Sequence, residues 1–316
     1  MTTTETTHKV KNEPNGGDLF EGITGNFHKF AEALFELTDD SLSNYLGHRL
    51  ERNLIEIELK NQGSYVGVMV RDGGTGILDL NGALTISSRS GRETPMNEHG
   101  FGLKHALASV AGNAPDAWSI QTRTAEDAAA NAYKLVTAPY DIGMSWSKVA
   151  GHGDITDDTG TVIRFRCPKQ KFDTLKPSGK RGDVTFLELV EFLEEELRYT
   201  YANLLDRKEV SFMLTFIDEG ADPDDLWITE GLHPHWQPDA TKDIPPVSVD
   251  LGGGPLEIRC RYGSILRSED NAFYYKGNMA TSGVEIRING RAIQKSVFCH
   301  LGEGAAPDSE PLPCPN

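Results

Sequence analysis

Glu36 and Asp40 lie four residues apart in a stretch whose apolar residues Phe27, Phe30, Ala31, Leu34 and Leu37 recur at helical spacing. Side chains at i and i+4 project from one helix face. A carboxylate in that position can polarise a water. A second oxygen donor one turn on can hold Mg2+, which takes hard oxygen ligands. Acidic pairs at this spacing are common on solvated faces, but two features set this one apart. Like charges at i,i+4 cost a helix about 0.2–0.5 kcal/mol, and Glu36 sits between apolar Phe35 and Leu37.

Three more segments offer chemistry. Asp72-Gly73-Gly74-Thr75-Gly76 follows an apolar run, Tyr65–Val70, that reads as a strand. An aspartate at a strand end accepts a hydrogen bond from an exocyclic amine such as that of adenine, and Gly74 and Gly76 let backbone approach a flat base. An ordinary Asp-Gly turn is the simpler reading of the same residues. Gly100-Phe101-Gly102-Leu103-Lys104-His105 opens a helix on glycines, which leaves free N–H groups at its positive end for phosphate; Lys104 adds a charge there. A dinucleotide-binding fingerprint would require a strand immediately before these glycines, and a polar loop precedes them instead. Finally, Gly160-Thr161 enters a strand and can turn one hydroxyl toward a bound base, although β-branched residues often begin strands.

The elements that must position these residues follow from periodicity. A long amphipathic helix is expected from Asp18 to about Leu50, then strands at Leu54–Leu59 and within 63–71, an irregular polar loop over 81–99, and a helix from Gly102 to Val110. Strands are expected at Trp118–Thr122, Ala132–Thr137 and Thr161–Arg166, a helix over 183–208, and a strand at Val210–Ile217. A polar, proline-rich stretch runs to about Pro246, and strands recur at Leu256–Tyr262, Gly283–Ile288 and Ile293–Val297. This order predicts an α+β fold, a two-layer sandwich with helices on one side of a mixed sheet, followed by a smaller α/β domain. The expected divisions are a disordered arm over 1–17, a first domain over 18–180, a second over 181–303, and a tail or linker over 304–316.

The four motifs taken together, in their order and spacing, resemble the GHKL ATPase superfamily, which takes in gyrase B, heat-shock ATPase chaperones, histidine kinases and MutL. The resemblance covers about residues 27–166. It implies a Bergerat-type sandwich that binds ATP with Mg2+ and hydrolyses it. By position, Glu36 matches the general base, and Asp40 sits where the family has an Mg2+-binding asparagine. Asp72 matches the adenine-reading aspartate, with Gly74 and Gly76 shaping the pocket. Gly100 and Gly102 match the phosphate lid, with Phe101, Leu103 and Lys104 expected among the nucleotide-binding residues, and Thr161 matches the threonine that supports adenine recognition. Asp40 departs by its charge, which attracts Mg2+ but repels triphosphate, and His105 departs where relatives often carry serine.

Gly283–Ile293, containing Asn289-Gly290-Arg291, resembles the transducer domain of MutL and MORC proteins. That domain's lysine for the γ-phosphate falls on Lys295 as first choice and Lys276 as second. What these likenesses imply is a MORC/MutL-like ATPase that homodimerises on ATP, with partner proteins or DNA engaged through other subunits, in the manner of prokaryotic restriction or phage-defence systems. A low-turnover ATP-sensing module and a chaperone-like ATPase are the alternatives. Histidine kinases are disfavoured, because no helical hairpin with a phosphoacceptor histidine precedes the motifs.

Bulk properties agree with this reading. The 316 residues exceed what one compact core needs. A net charge of −16 repels nucleic acid on average. No apolar run approaches the ~18–20 residues that span a membrane, and the polar first residues lack a secretory core, so a cytoplasmic location is expected. Cys167, Cys260, Cys299 and Cys314 have no zinc-ligand spacing and are expected to be buried thiols.

Overall fold

The computed structural model describes residues 16–23, 27–51, 53–85, 102–141, 143–177, 180–250, 255–266 and 284–297. The chain divides into two compact units. The first comprises Met1–Glu196 with Arg207–Thr229, and the second Leu197–Asp206 with Glu230–Asn316.

The helix expected from 18 to 50 is two helices, α1 (Gly16–Gly22) and α2 (Phe30–His48). Gly22 closes the first, as glycine costs a helix about 1 kcal/mol. The second starts afresh where the Glu32 carboxylate reaches back to the amides of His28 and Lys29, at 3.1 Å each. It ends at Arg49 in the left-handed region, φ 52°. Phe30, Leu34, Leu37 and Leu42 form its fully buried stripe.

Eight strands build one mixed sheet: β1 (Leu54–Asn61), β2 (Tyr65–Asp72), β3 (Trp118–Arg123), β4 (Ala132–Thr137), β5 (Ser147–Ala150), β6 (Gly160–Pro168), β7 (Ser211–Ile217) and β8 (Asp224–Ile228). Their spatial order is β5-β4-β3-β6-β2-β1-β7-β8. Every neighbouring pair is antiparallel except β1 with β7. The fold is thus α+β with a large mixed sheet. Opposed residues share a face, and Ile55, Ile57, Leu59, Val66, Val68 and Val70 line the core side. On the opposite side Met69, Val162 and Ile155 form a small cluster with Tyr133 against it.

The boundary expected at 180 falls inside the first unit. β7 lies beyond it in sequence yet pairs with β1 from Leu54↔Ser211 to Lys60↔Ile217, so the sheet is finished only by residues that follow the helix over 186–200.

Short helices α3 (Leu80–Leu84), α4 (Gly102–Val110), α5 (Ala125–Ala129) and α6 (Lys169–Phe172) connect the strands. α3 occupies the start of the loop expected to be irregular, and Asp79 caps it by accepting from the Gly82 amide at 2.9 Å. The helix expected over 183–208 is α7 (Phe186–Thr200) and α8 (Ala202–Asp206). A reciprocal cap starts α7: Thr185 Oγ1 accepts from the Glu188 amide, and the Glu188 carboxylate accepts from the Thr185 amide.

In the second unit β9 (Trp236–Asp250) and β10 (Pro255–Ile265) form a two-stranded antiparallel ribbon, and β11 (Val284–Ile288) and β12 (Arg291–Val297) form a hairpin. β9 runs through the stretch read as polar and proline-rich. Its Pro238, Pro245 and Pro246 hide the pattern, and proline is tolerated in such edge strands because one side needs no N–H. The Tyr199 hydroxyl donates to Glu285 at 2.5 Å, and the Arg287 guanidinium lies 5.0 Å from the Tyr199 ring centre.

Cys167 is buried as expected, but Cys260 on the two-stranded ribbon is exposed; Cys299 and Cys314 lie outside the described residues. Among the described residues no helix is long and apolar enough to cross a membrane.

Candidate functional site

Three strands meet at one rung. Asp72, the last residue of β2, pairs with Thr161 at the start of β6, and Thr161 pairs with Thr122 of β3. All three side chains therefore lie on the sheet's core side. The threonine hydroxyls are 3.3 Å apart. The Asp72 carboxylate is fixed by three donors: Ser41 Oγ of α2 donates to Oδ2 at 2.9 Å, the Gly74 amide donates to Oδ1 at 2.9 Å, and the Thr161 amide donates as well. A carboxylate has about four lone-pair sites, so capacity remains for a further donor. Burial pushes Asp72 up to about 6, against the pull of these hydrogen bonds.

The turn after Asp72 is tied to α2. Asn44 accepts from the Thr75 amide at 2.9 Å and donates to Thr75 Oγ1 at 2.8 Å. The Tyr45 hydroxyl accepts from the Gly73 amide and donates to the Leu54 carbonyl. Gly76 has φ +74°, and a Cβ there would lie 2.5 Å from the Arg123 carbonyl oxygen. A Cβ on Gly74 would collide with the Asn44 side chain. Both glycines are thus demanded by the close packing of the turn, quite apart from any ligand.

Glu36 and Asp40 stand on α2, each half-buried. Glu36 faces the first residue of α4: a Cβ on Gly102 would lie 2.6 Å from Glu36 Oε2. Lys104, on the same helix, is buried, and its ammonium donates to the Ala83 carbonyl at 2.8 Å and the Thr85 carbonyl at 3.0 Å. It closes the C-terminal end of α3. Burial pushes Lys104 down to about 8, opposed by the charge of Asp40. Burial also lowers His105, helped by Lys104, and the His105 ring lies 6.4 Å from that of Phe27.

Burial, reinforced by the charges of Glu36, Asp39 and Asp72, pushes Asp40 up to about 7, while Lys104 pulls the other way. The folded chain therefore holds this proton more tightly than the unfolded chain does. Stability is lost as pH rises from about 4 through 7. Asp40→Asn removes that loss. It is expected to stabilise the fold at pH 8 by on the order of 2–4 kcal/mol and to change little at pH 4. Thermal unfolding at pH 4, 6 and 8 reads this directly, and a gain that is the same at all three would contradict it.

The structure thus brings together Glu36, Asp40, Asp72, Gly74, Gly76, Gly102, Lys104 and Thr161 on α2, α4, the β2–β6–β3 rung and the turn after β2, with Leu103 buried at the start of α4. Gly100, Phe101 and Lys276 lie outside the described residues; Lys295 lies on β12 of the second unit. Among the described residues no group of three or more His, Cys, Asp or Glu is arranged to hold a metal ion. Asp40 offers one carboxylate to a cation that takes one or two and completes its shell from water and phosphate, as Mg2+ commonly does.

Sequence reasoning missed Ser41, Asn44, Tyr45 and Thr122. One signal was present: Thr38, Asp39, Ser41 and Ser43 make a polar run on a helix whose neighbours are core residues, and all four are buried.

No family model matches the chain, and no curated protein matches it. Among solved structures, one described as the crystal structure of the N-terminal domain of a DNA repair protein is similar at 17% identity, with a TM-score of 0.44. The match covers 74% of this chain, and spans 65% of the length of that one.

Proposed function

We propose that this chain binds ATP in the manner of the GHKL ATPases and hydrolyses it with Mg2+, as a MORC/MutL-like ATPase whose nucleotide state gates conformation or dimerisation. One observation carries the reading. A buried carboxylate, Asp72, is held by Ser41 and the Gly74 amide on a rung with Thr161, on the same side of the sheet as α2, whose Glu36 abuts the N-terminus of α4.

Each part has a role under this proposal. Asp72 accepts the exocyclic amine of adenine, and Thr161 supports the ring. The N-terminal amides of α4 face phosphate, where a helix carries its partial positive charge. Glu36 takes a proton from the water whose oxygen bonds to the γ-phosphorus as the bond to the β-phosphate oxygen breaks and ADP leaves. The barrier falls mainly through positioning and charge stabilisation. Mg2+, when bound, would neutralise phosphate charge, and Asp40 would hold it on the protein. Asp40 must lose its proton to serve, so Mg2+ dependence is steepest above pH 7.

The test is base selectivity. Guanine presents a carbonyl where adenine presents its amine, so its oxygen meets the Asp72 carboxylate with no proton between them. ATP is expected to bind about 100-fold more tightly than GTP by calorimetry, since an unpaired buried acceptor costs about 1–3 kcal/mol. Equal affinities would remove Asp72 from base recognition. The charge crowding at Asp40 favours a second reading, an ATP sensor with little turnover. Phosphate release that depends on Mg2+ separates the two.

A further inference from the structure

β8 ends the eight-stranded sheet. It pairs with β7 on one side, and no strand among the described residues pairs with the other. Such an edge offers a row of backbone donors and acceptors to an incoming strand. The register sets Trp227 opposite Met213 and Asp225 opposite Thr215. One strand further in, Glu56 stands opposite Met213 and Glu58 opposite Thr215. Opposed residues share a face, so Trp227, Asp225 and Glu58 lie together on the side of the sheet away from the core residues Phe212, Leu214 and Ile228. Glu56 on that face is engaged by Arg71.

Two features of this edge stand out. Trp227 is 61% exposed. The surrounding chain is acidic, with Asp218, Glu219, Asp222, Asp224, Asp225 and Glu230, and no Lys or Arg occurs between Glu209 and Thr241. Charges on an edge strand ordinarily ward off other strands, and that accounts for Asp224 and Asp225. It does not account for a tryptophan left in water beside them, because an indole is the side chain whose face binds a cation best.

We propose that β8 is a docking edge for an extended, cationic segment of a partner protein, laid along the strand with a Lys or Arg over the Trp227 ring. The geometry sets the pattern the segment must carry. A residue opposite Trp227 falls on the indole's side of the sheet, and the residue two along falls opposite Asp225 on the same side. The segment therefore reads basic, any, basic, with main-chain pairing for affinity and the two cations for selection. A second copy of β8 would bring the same acids edge to edge, and nucleic acid would bring phosphates; both are repelled.

The test uses the full chain with a short peptide alternating Lys and Val, and its Glu–Val counterpart as control. Calorimetry should show the Lys–Val peptide binding and the Glu–Val peptide not. Trp227→Ala should weaken binding about tenfold while Trp227→Phe restores most of it. Amide hydrogen exchange should slow across 224–228 on binding. The proposal is overturned if the Lys–Val peptide does not bind, if Trp227→Ala binds it equally well, if the acidic peptide binds as tightly, or if the amides of β8 exchange unchanged in the complex. None of these outcomes bears on ATP, because the rung that holds Asp72 is built from other strands.

Discussion

Asp72→Asn is expected to lower the affinity for ATP about 100-fold while raising the melting temperature at pH 8. The two effects have one cause. The carboxylate is buried and pushed up to about 6, so its charged form is penalised in the folded state. Because the folded value lies above the unfolded one, stability falls as pH rises from about 4 through 6, and the neutral amide escapes that fall. The same amide turns an N–H toward the adenine amine or leaves it with one acceptor fewer, a loss of about 3 kcal/mol, or roughly 100-fold. Calorimetry and a thermal melt on one preparation separate this from simple unfolding, which would lower both quantities. Undiminished ATP affinity in the variant would end the assignment of Asp72.

The second large effect falls on turnover. Glu36→Gln is expected to cut phosphate release by about 10³-fold, since a positioned general base contributes roughly 10²–10⁴. ATP affinity should stay within a few-fold of the parent. Glutamine is preferred to alanine because the Glu36 carboxylate fills the space against Gly102, and a shorter side chain would leave a gap between α2 and α4. Single-turnover and steady-state phosphate release, measured beside nucleotide binding, check both halves. A variant that turns over at the parent rate would show that another group activates the water.

Much of the frame is written in local pattern. α4 at Gly102–Val110 is legible because its apolar residues keep helical spacing, and β4 at Ala132–Thr137 because a short run with Tyr, Leu and Val is bounded by Asn131 and Pro139. The break between α1 and α2 is not, since the apolar spacing carries on through Phe27 and Phe30 and masks the new cap at Glu32. β9 is hidden by its prolines. The candidate site divides in the same way. Glu36 and Asp40 share a face by helix geometry alone, and Asp72 stands out at a strand end. The meeting of Asp72, Thr161 and Thr122 depends on the register of β2, β6 and β3, which no local pattern encodes. Ser41 and Asn44 acquire meaning only once that rung is set beneath α2.

The parallel pairing of β1 with β7 bears on how the chain can be cut. A fragment ending at 180 would turn β1 from an interior strand into a raw edge, with the apolar Ile55, Ile57 and Leu59 along it and no partner to cover its backbone. That is the recipe for edge-to-edge association and insoluble protein. Any attempt to express the Asp72-bearing half by itself must carry the chain through Thr229.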